Sequence, residues 1–186
     1  GKKVVTLFGF LSVKKGHRIA LEAAASLPPD TLLLFAGDRH PDDTTDYVPK
    51  LKEVIAARGL TERVRITGYL PAEQIPILMA ATDGGLAPFT QSSRSGALAN
   101  LFAYGRPVLA SDIAPHKEMA HEAPSLLRLF RSGDAADLTT QLRALLNSDA
   151  ERTALQQSAC AYAERHSYAA MAEETVKVYQ TAQEPV

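Results

Sequence analysis

Residues Phe89–Ser111 read FTQSSRSGALANLFAYGRPVLAS, and residues Gly9–Gly16 read GFLSVKKG. The longer stretch is a polar, glycine-containing loop, then an apolar helical pattern, then Gly-Arg-Pro-Val leading into a strand. The shorter one follows an apolar strand pattern and ends on two lysines and a glycine. Each has the form of a loop that carries the chain from a buried parallel strand to a helix N-terminus. Such a junction offers backbone N–H groups without intrahelical partners and the positive end of a helix dipole, and the two together suit a phosphate. The pair of loops points to a nucleotide diphosphate as ligand.

Working outward, apolar runs alternate with amphipathic segments. Strands are predicted at Val4–Phe8, Thr31–Ala36, Val64–Thr67, Gly84–Pro88, Val108–Ser111 and Leu126–Phe130. Helices are predicted at His17–Leu27, Tyr47–Arg58, Pro71–Met79 and Gly96–Tyr104, and the chain turns purely helical after Ala135, with Ala135–Leu146, Glu151–Glu164 and Tyr168–Ala182. Pro28 and Pro29 stop the first helix, and Gly59 closes the second as a C′ residue. The alternation predicts an α/β fold: a doubly wound parallel sheet of about six strands with helices on both faces. A single domain is expected over residues 1–186, with 150–186 as C-terminal helices packing back.

In a doubly wound sheet of order 3-2-1-4-5-6 the winding reverses between strands one and four, and ligands bind beyond their carboxyl ends. Counting strands places Gly9–Gly16 after strand one and Pro88–Gly96 after strand four. The two loops chosen for their chemistry thus flank the reversal. Ser95 stands where an N-cap would, and Gly96 and Ala97 would present N–H groups to an anion. Gly9 opens the first loop, and Lys14 and Lys15 supply point charges for a diphosphate. Arg94 offers a bidentate contact to phosphate. Gly68, Tyr69 and Leu70 follow strand three, where they can lie along a flat base.

Composition bounds the rest. A formal net charge of -1, with no basic run and no interleaved aromatics, gives no case for nucleic acid. Cys160 is the single cysteine, so no intrachain disulfide forms and a reducing, cytoplasmic setting is expected. No apolar run reaches the ~20 residues that span a bilayer. Asp38, Asp42, Asp43 and Asp46 with His40 have the look of a metal site but lack a second ligand group at diagnostic spacing, so they read as a solvated loop. His116 and Glu118 either approach the cleft or cap the next helix. His17 reads as a first helical turn, and His121, His166 and Cys160 as structural or surface residues. Ser92, Ser93 and Ser95 lack the spacing of a nucleophile elbow. The first loop lacks the dinucleotide fingerprint G-x-G-x-x-G.

GFLSVKKGH, FAGD, VRITGYLP, ATDGGLAPF, ALANLFAYGRPVLASD and HSYAAMAEETVKVYQ, in that order, resemble the C-terminal half of the retaining GT-B glycosyltransferases, the glycogen- and sucrose-synthase-like enzymes. The resemblance runs from Val4 to Tyr179. It implies a Rossmann-like domain that binds a UDP- or GDP-sugar, with Lys15 on the donor diphosphate, the base beside Gly68–Leu70, and no required cofactor or metal. It implies transfer of a glycosyl group in glycan or polysaccharide biosynthesis. The acceptor-binding N-terminal domain would lie upstream of Gly1, this half alone would not turn over, and any contact with the inner membrane face would come through the missing half. The sequence departs from the family at two glutamates, matched by Ser92 and Asn100, and at an arginine, matched by Phe10. Asn100 retains hydrogen-bonding capacity toward a ribose but no charge. The competing expectation is a non-catalytic α/β module that has kept the scaffold and lost the acids.

Overall fold

The computed structural model describes residues 1–91 and 95–182. Among these, β1 (Lys3–Phe8), β2 (Thr31–Ala36), β3 (Val64–Ile66), β4 (Gly84–Ala87), β5 (Val108–Ser111) and β6 (Arg128–Phe130) form one sheet. Every pairing is parallel and the order is β3-β2-β1-β4-β5-β6, as the strand count predicts. The helices are α1 (His17–Ala24), α2 (Tyr47–Ala57), α3 (Ile75–Ala80), α4 (Gly96–Ala103), α5 (Ala114–Glu122), α6 (Ala135–Asn147), α7 (Asp149–Arg165) and α8 (Tyr168–Ala182).

β2, β4 and β5 are near-continuous apolar runs, as strands covered on both faces are. β4 and β5 are buried at every position. One core cluster gathers Leu21, Ala24, Leu51, Ile55, Leu142 and Leu145 from α1, α2 and α6. The other gathers Met79, Leu98, Leu101 and Phe102 from α3 and α4 with Ala159 of α7. Each fully buried leucine contributes about 1.5–3 kcal/mol. α4 lies so close over β4 that a Cβ on Gly85 would stand 2.8 Å from Leu101 Cδ1. This tight seat fixes where the N-terminus of α4 points.

The larger differences from the sequence reading fall in three segments, and several other bounds shift by one or two residues. α1 ends at Ala24 rather than Leu27, because Ser26 and Leu27 already donate to the carbonyls of Ala23 and Ala24 in a tighter turn. The helix expected over Pro71–Met79 begins as a 3-10 turn at Ala72–Gln74, and α3 follows with Pro76 in its first turn, where no N–H is needed. α5, APHKEMAHE, carries polar residues on most sides and gave no periodic signal, so the sequence set no bounds for it. In the C-terminal part, α7 packs on α4, with the rings of Phe102 and Tyr162 5.6 Å apart. α8 has no buried residue.

The loops after β1 and β4 are fastened through their backbones. Thr90 N–H donates to the Lys14 carbonyl at 3.0 Å. Gly16 has φ +72, and a Cβ there would lie 1.8 Å from the Pro88 carbonyl oxygen. No side chain fits between the two loops. Gly16→Ala is expected to cost at least about 2 kcal/mol, combining left-handed strain with a backbone clash. Gly96→Ala, whose Cβ meets nothing within 4 Å at a helical position, is expected to leave stability equal or higher. Urea midpoints of both variants check this; equal midpoints would contradict the fastening.

Candidate functional site

A cleft of about 720 Å³ opens beyond the carboxyl ends of β1, β2 and β4. Of the residues expected from sequence, Gly9, Lys14, Lys15, Tyr69, Leu70, Ser95, Gly96, Ala97 and Asn100 line it. Gly68 does not line it but makes the turn, at φ +74, that carries the chain from β3 into Tyr69 and Leu70. Ser92 and Arg94 lie outside the described residues.

The cleft is built by the two fastened loops. After β1 the chain forms a 3-10 turn at Val13–Lys15 and then enters α1. This turn brings Lys15 across to α4, where its Nζ donates to Ser95 Oγ at 3.2 Å. The same ammonium lies 3.8 Å from the centroid of the Phe89 ring. Ser95 has the extended backbone of an N-cap, as its sequence position predicts, but its hydroxyl makes no capping bond to the helix. That oxygen serves Lys15 instead. The first-turn N–H groups of α4 therefore face the cleft without a capping side chain, which is the arrangement an anion can use.

Charge in the cleft is unequal, with Lys14 and Lys15 set against one described carboxylate. Among the described residues neither Lys14 nor Lys15 forms an ion pair. Burial lowers the Lys15 ammonium below its ordinary 10.5. Asp38 is the one carboxylate among the described lining residues. Its Oδ1 accepts from Arg39 N–H at 2.7 Å. Asn100 donates its side-chain amide to the Gly96 carbonyl at 2.9 Å, which leaves its Oδ1 as the group it can offer a ligand.

Several lining residues were missed from sequence: Phe8, Phe10, Ser12, Ala36, Gly37, Asp38, Ile75 and Gln91. The signal for Asp38 was available, since it follows β2, which the strand order sets beside β1. The acidic loop otherwise spends its groups locally. His40 Nδ1 accepts from Asp42 N–H, Asp43 from Thr45 N–H, and Asp46 pairs with Lys50 at 2.7 Å.

Two histidines stand behind the lysine. His116 is buried in the first turn of α5, with Nδ1 2.8 Å from the Ser111 carbonyl, so it neither caps that helix nor lines the cleft. His17 begins α1, as its sequence position predicts, but is fully buried, with Nδ1 3.3 Å from Tyr47 Oη. Burial pushes His17 down to about 4 from 6.5, partly opposed by the Ser12 backbone and reinforced by the Lys15 charge.

A family model described as glycosyl transferases group 1 matches residues 2–148. A 2-deoxystreptamine glucosyltransferase from Streptomyces kanamyceticus is 29% identical over 154 residues, covering 81% of this chain and 38% of the relative. A D-inositol 3-phosphate glycosyltransferase from Corynebacterium urealyticum is 28% identical over 186 residues, covering 96% of this chain and 43% of the relative. The solved structure of Anabaena Alr3699/HepE in complex with UDP superposes with a TM-score of 0.85 at 25% identity, covering 97% of this chain and 49% of that one. The chain thus spans less than half the length of these proteins.

The depressed His17 ties stability to pH. Below pH 6.5 the unfolded chain binds a proton that the folded chain refuses. Stability therefore falls as pH drops from 6.5 to about 4 and levels off below that. The loss from this group is on the order of 3 kcal/mol. Melting curves of wild type and His17→Phe should converge toward acid, with the variant losing less; parallel curves would contradict the assignment.

Proposed function

The chain belongs to the glycosyl transferases group 1 family, and from that premise we propose that it is the donor-binding half of an enzyme that transfers a sugar from a UDP- or GDP-sugar to an acceptor. The observation that carries this reading is the meeting of Lys15 Nζ and Ser95 Oγ at 3.2 Å beside the uncapped N-terminus of α4. Lys15 and the helix end then meet at one point, and Lys14 lines the same cleft.

In the transfer, the bond from the sugar's anomeric carbon to the diphosphate oxygen breaks, and negative charge grows on the leaving nucleoside diphosphate. Lys14, Lys15 and the Gly96 and Ala97 N–H groups stabilise that charge by being in place beforehand. These groups supply the positive charge themselves, so the reading asks for no metal. Gly9 lets the diphosphate approach the first loop. The nucleoside extends along β2 and β3, with the base beside Gly68, Tyr69 and Leu70 and the ribose within reach of Asn100 Oδ1. Ser92 and Arg94, outside the described residues, are assigned from the sequence to the sugar and the phosphate.

The acceptor is bound by a second, N-terminal domain, and this half alone binds nucleotide without turnover. UDP is the first candidate donor nucleotide, since Alr3699/HepE was solved with it. The product is placed in glycan or polysaccharide biosynthesis. The lone cysteine fits a cytoplasmic setting. Among the described residues no helix is long and apolar enough to cross a membrane, so contact with the inner membrane face is left to the other half.

Calorimetric titration with UDP, GDP and ADP tests the reading. Saturable binding of UDP or GDP is expected, and Lys15→Ala should weaken it by about 1–3 kcal/mol, the scale of a lost charged hydrogen bond. Silence from all three nucleotides would favour a scaffold that has lost the chemistry. An unchanged affinity in Lys15→Ala would move the diphosphate elsewhere.

A further inference from the structure

We propose that Phe89 is a positioning residue for Lys15: its ring holds the ammonium beside the N-terminus of α4 without neutralising it, which keeps the full charge for a nucleoside diphosphate. The inference rests on the assignment of Lys15 to the diphosphate.

A long lysine side chain in a cleft needs something to hold its head in place. A carboxylate would do so but would cancel the charge. Here the holders are the Phe89 ring at 3.8 Å and the Ser95 hydroxyl at 3.2 Å, and neither carries a charge. An aromatic face attracts a cation through its quadrupole, and more strongly where water is excluded. It also opposes the effect of burial, which lowers Lys15 from its ordinary value.

Phe89 is itself held rigidly. It is 1% exposed. Ser111 at the end of β5 donates its hydroxyl to the Phe89 carbonyl at 2.6 Å. The His116 ring lies 5.6 Å from the Phe89 ring, tilted by 52°, and is tied to the Ser111 carbonyl through Nδ1. β5 and α5 put no residue in the cleft, yet they set the ring on which the ammonium rests.

Fluorinated phenylalanines placed at position 89 alone test this, because added fluorines weaken the ring face while nearly preserving its shape. The series runs from phenylalanine through 4-fluoro- and 3,5-difluoro- to 3,4,5-trifluorophenylalanine. Two quantities are read: the titration midpoint of Lys15 by NMR, above pH 8 where His17 and His116 are neutral, and the affinity for UDP. The expected result is a stepwise fall in the Lys15 midpoint and a loss of UDP affinity of roughly threefold or more at the last step. Thermal midpoints should stay constant across the series. A Lys15 midpoint that ignores the fluorines overturns the inference, whatever UDP does. A midpoint that moves while UDP affinity holds also overturns it, and the Lys15→Ala titration then reports separately whether the lysine meets the diphosphate at all.

Discussion

The site depends on one close approach, the contact of Gly16 with the Pro88 carbonyl. It closes the gap between the first and fourth crossover loops so tightly that no Cβ can enter, and the bond from Thr90 N–H to the Lys14 carbonyl holds the two together. The pairing of β1 with β4 makes the approach possible by setting the two loops side by side at the reversal of the sheet. Because the fastening is made by backbone, the cleft exists before any ligand arrives. The reach of Lys15 to Ser95 follows from it.

A preformed cleft can hold positive charge that is not cancelled. Lys14 and Lys15 form no ion pairs among the described residues, and the end of α4 is left uncapped because Ser95 is engaged elsewhere. Half-burying an ammonium without a counter-ion is costly, and an arriving anion relieves that cost. On the proposed reading, such a site binds best when charge grows on the ligand, which is the condition for accelerating departure of a diphosphate. Asp38, on the β2 side, keeps the one described carboxylate of the lining at the far side of β1 from α4.

Sheet order and the meeting of the two loops were legible in the sequence because they follow from apolar runs, their spacing and the fixed hand of crossovers. The bounds of β2 and β5 came out to the residue, where proline or glycine punctuates the chain. α5 was not legible because APHKEMAHE has no clear apolar face and is held by what surrounds it. The partner of Lys15 was not legible either. Phe89 looks like an ordinary core residue at the end of a strand, and only the seat of α4 on Gly85 and the turn of the first loop bring the ammonium onto its ring. The burial of His17 and His116 escaped for the same reason, since pattern fixes a residue's element more readily than what lies above it.

The most direct measurement is a crystal structure of this chain grown with UDP. The account predicts both phosphates within hydrogen-bonding distance of Lys15 Nζ and the Gly96 and Ala97 N–H groups, with the uracil directed toward Tyr69 and Leu70. A diphosphate bound away from the Gly9–Gly16 loop, or a nucleotide running in the opposite direction, would contradict it.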